Sequence, residues 1–230
     1  MQWIISFLFT LLLLGCSSGA RVEQSEQFQT MTGGQSVGET TSFYWYTEYM
    51  EHPYSSADYV LSGRYGWYQS DYRWQENTLR EMVREGKTLN SEQKLADFRL
   101  HLRFSQSGEA VYQQYQIDGK ILPLTSEQIV AYQNEATSVI RIAEDQHKQG
   151  LRLFQGEWDG EMFETCSGQE YSQFEFNQIL PSFVIKRLAS VDSYVAILGY
   201  IRSGKLSVED LLLLEEDSFD CIERPLLIEE

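Results

Sequence analysis

Basic residues are scarce: 18 Lys and Arg stand against 34 Asp and Glu in 230 residues, a formal net charge of -16. Such a chain repels a phosphate backbone, which excludes nucleic-acid binding through a general basic surface. Long hydrophobic runs are also missing. The longest, Trp3 to Leu14, is interrupted by Ser6 and Thr10 and falls short of the roughly 20 residues that cross a bilayer. Histidine is rare, and His52, His101 and His147 stand in no H-E-x-x-H or other metal-ligand spacing. Neither a G-x-S-x-G elbow nor a glycine-rich phosphate loop occurs. No metal, cofactor or catalytic residue is therefore expected, and nothing in the chain names a reaction. What is present suffices for a core: 42% of residues are hydrophobic and 13% aromatic. At about 100 to 200 residues per domain, one folded unit is expected.

The apolar run ends in Leu13-Leu14-Gly15-Cys16. Its length fits the h-region of a secretory signal, and its end resembles the bacterial lipoprotein signal, in which a small residue precedes the cysteine that is lipidated. The n-region, Met1-Gln2, carries no Lys or Arg, which departs from that pattern. The alternative is a plain secretory peptide with a free Cys16. The lipoprotein reading makes residues 1–15 a signal peptide and Cys16 the site of a palmitate-type lipid anchor. More than one acyl chain there makes membrane attachment stable. In the family of such signals Ser17, rather than Asp, favours export to the outer membrane, so the periplasmic face of the outer membrane is the expected location. Residues 16–42 are rich in Ser, Gly, Gln, Thr and Glu and read as a flexible tether, leaving residues 43–230 as a single globular domain.

In that domain, Tyr59, Leu61, Gly63, Tyr65 and Trp67 recur with period two and predict one face of a strand. A strand near Tyr72 to Gln75 turns at Glu76-Asn77 and returns from Leu79 to Arg84. Leu95 to Phe104 and Ala110 to Ile117 predict another hairpin about Ser107-Gly108, with His101 on the solvent side. Thr125 and Gln128 form a capping box for a helix over 126–149, with Ile129, Tyr132, Ala136, Val139, Ile140 and Ala143 on its apolar face and Gly150 as its stop. Leu151 to Trp158 and Glu161 to Cys166 read as a hairpin about Asp159-Gly160. A short strand at 171–176, a helix near 179–188, and strands at 194–202 and 211–214 complete the pattern. The fold class expected is α+β, a largely antiparallel sheet of hairpins packed against one long helix.

With Cys16 lipidated, Cys166 and Cys221 are an even pair, predicted to form a disulfide in an oxidising compartment. Buried free thiols and a redox site are the alternatives, the latter lacking C-x-x-C. The acidic groups at 209–210 and 215–217 lack the spacing of a calcium loop and read as solvated surface. Glu157, Asp159, Glu161 and Glu164 offer carboxylates for a cell-wall-acting hydrolase, but pairs this common cannot be assigned from sequence. The most unusual stretch is aromatic, from Phe43 to Trp74. Trp45, Trp67 and Trp74 are candidate binding residues for an envelope protein or glycan, since aromatic faces stack on sugar rings and serve interfaces. The alternative is that these rings fill a core.

The ordered series Tyr72-Arg73-Trp74-Gln75, Leu79-Arg80, Leu102-Arg103-Phe104 with Gly108, Gln155-Gly156-Glu157-Trp158, Cys166-Ser167-Gly168, and Phe219 with Cys221 resembles the bacterial envelope family called domain of unknown function 1481. The resemblance spans about residues 55 to 224. It implies a small gammaproteobacterial lipoprotein with no established activity and carries no catalytic residue over. The expected function is that of an uncharacterised, non-enzymatic periplasmic binding or structural module.

Overall fold

Strands whose side chains alternate between two faces, joined by turns that need left-handed backbone, build most of the molecule. The structure, a computed structural model, describes residues 27–229. Eight strands, β1 (Phe28–Val37), β2 (Thr40–Tyr49), β3 (His52–Leu61), β4 (Gly66–Gln75), β5 (Thr78–Leu89), β6 (Leu95–Phe104), β7 (Ala110–Ile117) and β8 (Lys120–Leu122), each pair with their sequence neighbours to make one antiparallel meander. The turns at Glu76-Asn77 and Asp118-Gly119 have positive φ at both residues, the backbone that matches the twist of a tight hairpin.

Helix α1 (Ser126–Lys148) follows, held at its start by the predicted box: Thr125 accepts from the Gln128 amide and the Gln128 side chain accepts from the Thr125 amide. Gly150, with φ 78°, lets the chain leave the helix. A second sheet then forms, in the order β11 (Glu170–Tyr171), β10 (Phe163–Thr165), β9 (Arg152–Trp158), β13 (Ser193–Arg202), β14 (Lys205–Glu216), β12 (Phe174–Phe176). Its β12–β14 pairing is parallel, and the short helix α2 (Ser182–Leu188) precedes β13.

These elements stack as four layers. Tyr46, Tyr72, Met82, Leu100 and Leu102 of the first sheet meet Ala136, Val139, Ile140 and Ala143 of α1. On the opposite face, Phe43, Trp45 and Ala57 pack against Tyr194, Ala196, Leu198 and Leu212 of the second sheet. The far side of that sheet, through Val195, Ile197, Leu206 and Val208, is covered by Val184 and Leu188 of α2. Each large apolar side chain so buried contributes about 1.5–3 kcal/mol.

The α+β expectation is corrected here. The structure is 54% strand and 17% helix and contains two sheets. The strands after α1 do not extend the first sheet; they stack on it, so the helix covers one face of one sheet only. The tether is corrected as well, because Phe28–Val37 and Thr40–Tyr49 are strands. Its glycines serve packing: a Cβ on Gly33 would collide with Gln146 of α1, and one on Gly34 would lie 2.6 Å from Leu212 Cδ1 and 2.8 Å from the Ser42 carbonyl. At this pair α1 and the second sheet pinch β1 from both sides. The supposed single strand through Tyr59 and Trp67 breaks at a 3-10 turn, Gly63–Tyr65. The two rings still stack, with centroids 5.6 Å apart, because β3 and β4 are antiparallel neighbours. The hairpins at 72–84, 95–117 and 151–166, the helix at 126–149 and the strands near 194–202 and 211–214 stand where expected.

Cys166 and Cys221 form the predicted disulfide, closing a sequence separation of 55. Beyond it the chain is strapped across the domain. Gln155 bonds both the amide and the carbonyl of Ile222, Arg224 donates to Ser55, and Asp71 accepts from the amides of Leu227 and Ile228 at 3.0 Å each. The signal segment, Cys16 and the first part of the tether lie outside the described residues.

Two stability outcomes follow from this packing. Gly34→Val is expected to cost about 1–3 kcal/mol by overpacking, read as a lower urea midpoint. Replacing both Cys166 and Cys221 by Ala is expected to remove at most about 4 kcal/mol and to expose the 222–229 segment to limited proteolysis.

Candidate functional site

Strand register places four polar residues side by side beneath α1. Tyr44 lies opposite Asp58, Asp58 opposite Ser70, and Ser70 opposite Arg84. All occupy the strand face that elsewhere carries Tyr46, Tyr72, Met82 and Leu102, so a charged pair sits in a row otherwise built for a core. Arg84 and Asp58 are almost wholly buried, with side-chain exposures of 5% and 4%.

Arg84 is tied down on every side. Nε donates to Ser70 Oγ at 2.7 Å, Nη2 to the Tyr72 hydroxyl at 3.0 Å, and Nη1 pairs with Glu135 of α1 at 2.8 Å. Its guanidinium lies 4.0 Å from the centre of the Tyr68 ring, where an arginine gains a cation–π attraction. Asp58 is less well served. Its Oδ2 is 3.8 Å from Arg84 Nη2 and accepts from Tyr72 at 3.4 Å, while Oδ1 is buried with no hydrogen-bond partner. Burial pushes the Asp58 carboxyl above its ordinary value, and the pull of Arg84 does not fully offset this. Tyr44, Tyr68 and Tyr72 are likewise raised by burial, so their hydroxyls stay protonated and available as donors.

Beside this cluster opens a cleft of about 500 Å³ between the first sheet and α1. Asp58, Tyr44, Tyr68, Ser42 and Gln35 lie on its floor, and Asn134, Glu135, Ser138 and Arg141 on its helical wall. Hydroxyl and amide side chains, two phenols, two carboxylates and the Arg141 guanidinium share its lining with the apolar Val60, Val139 and Ile142.

The tryptophans singled out in the sequence are not brought together there. Trp45 is buried between the two sheets, and Trp74 is buried in the core beneath α1, its Nε1 donating to Ser56 at 2.9 Å. Core filling accounts for both. Trp67 is half-buried and lines a separate hollow with Gly86, Phe98 and Arg99. His101 lies on the polar face of β6 as expected and is partly exposed, with its Nε2 2.8 Å from Glu81, a carboxylate also approached by Arg73 and Arg103. His147 stands in the last turn of α1 as expected, within 2.8 Å of Gln29. Of the hairpin carboxylates, Glu157 and Glu164 are direct cross-strand partners. Asp159 accepts from the amides of Glu161 and Met162, which hold it below the usual range in a turn-forming role.

A family model described as "Protein of unknown function (DUF1481)" matches residues 32–226. The chain belongs to the DUF1481 family. No curated protein and no solved structure matches it. The DUF1481 match begins inside β1 and ends in the C-terminal strap, so it takes in both sheets, both helices and the whole cleft. Asp58, Arg84 and Glu135 were missed in the sequence, although Arg84 carries a readable sign: it stands two residues after Met82, in the buried register of β5.

Because the folded protein holds the Asp58 proton more tightly than the unfolded chain does, this carboxyl favours the fold in acid, and the gain is lost as pH rises through the raised value. Arg84→Met, which strips Asp58 of its cation, is expected to cost about 3–5 kcal/mol at neutral pH and to steepen that loss. Guanidinium chloride midpoints at acid and alkaline pH read both effects, and adding Asp58→Asn is expected to restore much of the stability.

Proposed function

We propose that this DUF1481 protein is a non-enzymatic binding module of the periplasm, held to the outer membrane by lipid on Cys16 and taking its ligand in the cleft beneath α1. The observation that carries the binding role is the cleft of about 500 Å³ between the first sheet and α1, where hydroxyls, amides and the charged groups Asp58, Glu135 and Arg141 converge. Arg84 uses its donors on Ser70, Tyr72 and Glu135, so it braces the floor of the cleft and recognition falls to hydroxyls, amides and the charged groups Asp58, Glu135 and Arg141. That set suits holding a molecule more than transforming it.

Two features support the location. Leu13 to Cys16 has the form of a lipidation signal, and the Cys166–Cys221 disulfide suits an oxidising compartment.

Palmitate labelling is expected to mark the protein and to be lost in Cys16→Ala, with globomycin causing the precursor to accumulate. Native mass spectrometry of the protein extracted from membranes is expected to show a small-molecule adduct that Ser138→Trp, which fills the cleft from α1, removes. Recovery of unlabelled protein in the cytosol would overturn the location, and bare polypeptide mass in both forms would overturn the binding role.

A further inference from the structure

We propose that a second hollow, between the first sheet and the C-terminal strap, binds a small organic carboxylate, its anionic end on Arg80 and Arg224 and its apolar body against the strap. The hollow shares no residue with the cleft beneath α1 and does not depend on the binding role proposed there.

Charge singles the hollow out. In a chain of net charge -16, the guanidinium groups of Arg73, Arg80 and Arg224 line a space of about 420 Å³ against one carboxylate, Asp71, an excess of two positive charges. The cleft beneath α1 has the opposite balance, with Asp58 and Glu135 against Arg141. Asp71 is already engaged. Its Oδ2 accepts from the Leu227 and Ile228 amides, and its Oδ1 lies 4.0 Å from Arg224.

The protein's own groups leave these cations underused. Arg73 donates to the Glu229 carbonyl at 2.7 Å and stands 3.5 Å from Glu81, a carboxylate it shares with His101 and Arg103. Arg224 reaches both Ser55, at 2.9 Å, and Asp71 through Nη2 alone. Arg80, half-buried, makes no side-chain hydrogen bond or ion pair among the described residues. The side chains of Arg73 and Arg224 are 43% and 28% exposed, so a solute reaches them.

Backbone irregularity converges on the same place. The register of β4 with β5 shifts between Arg73 and Trp74, which leaves Arg80 as the extra residue of a bulge. The register of β2 with β3 shifts between Thr47 and Glu48, which leaves Tyr54 extra in the same way. Bulges re-aim side chains and are frequent beside binding and active sites. Here two of them, on strands either side of β4, turn their extra residues into one hollow.

The strap decides the ligand class. Its alternate residues Arg224, Leu226 and Ile228 line the space, and Leu226 is 78% exposed beside the guanidinium groups. An inorganic anion would leave this apolar surface wet, and an uncharged apolar molecule would leave the cations unanswered. A carboxylate carried on an apolar body meets both, because the guanidinium fork pairs with it through two parallel hydrogen bonds while the body covers Tyr54, Leu226 and Ile228. The volume falls within the range of small-molecule sites.

Isothermal titration calorimetry of the intact protein in neutral detergent, referenced to micelles alone, tests this with four probes: 4-phenylbutyrate, 4-phenylbutylamine, 4-phenylbutanol and acetate. Saturable binding of 4-phenylbutyrate is expected, tighter than that of the other three. Arg80→Gln is expected to weaken it roughly tenfold. Leu226→Glu, at an exposed position where the fold tolerates the change, is expected to abolish it with the urea midpoint unchanged. Tighter binding of the amine or the alcohol overturns the proposal, as does equal binding of acetate, which lacks the apolar body. Absence of saturable 4-phenylbutyrate binding, or unchanged affinity in either variant, overturns it as well.

Discussion

Residues Thr41 to Tyr46 of β2 are all buried, and this constraint organises the rest of the molecule. A strand sends successive side chains to opposite faces, so six buried residues in a row demand a cover on each face. Helix α1 supplies one and the second sheet the other. β13 has the same requirement, its residues 193–199 being buried without interruption, and it is met by the first sheet on one side and α2 on the other. The four-layer order is thus the answer to two strands that cannot tolerate water on either face, with Gly33 and Gly34 providing the close approach that lets both covers reach β1.

Local features were legible in the chain because they rest on local chemistry. The α1 capping box, the Asn77 and Gly119 hairpin turns, and the period-two pattern of Leu100, Leu102 and Phe104 each involve residues a few positions apart. The partner of each sheet face was not legible, since it depends on contacts such as Gly34 with Leu212 that join distant segments. Composition misled for the same reason. A Ser-, Gly- and Thr-rich stretch resembles a linker until one sees that its small side chains are required where three layers meet. The tryptophans drew attention by size, yet two of them fill cores, whereas the cleft is lined by ordinary serines, tyrosines and an aspartate whose grouping arises only from strand register.

The ion cluster under α1 illustrates why charge is admitted to a core. Arg84 reaches Ser70 and Tyr72 within the sheet and Glu135 on the helix, so one side chain ties α1 to β4 and β5. Apolar contacts alone are less selective about the sliding of a helix over a flat sheet. Asp58 completes this arrangement only in part: one oxygen serves the cluster, and the other is buried without a hydrogen-bond partner.

The C-terminal strap makes the fastening of one sheet to the other depend on redox state. Residues 222–228 bond Gln155 of the second sheet and Ser55 and Asp71 of the first, and the Cys166–Cys221 bond anchors the start of that segment. In a reduced chain only hydrogen bonds hold the strap, and the buried carboxylate of Asp71 depends on them for the two amides that satisfy it. An oxidant acting beside β10 thereby secures a carboxylate on β4 of the other sheet.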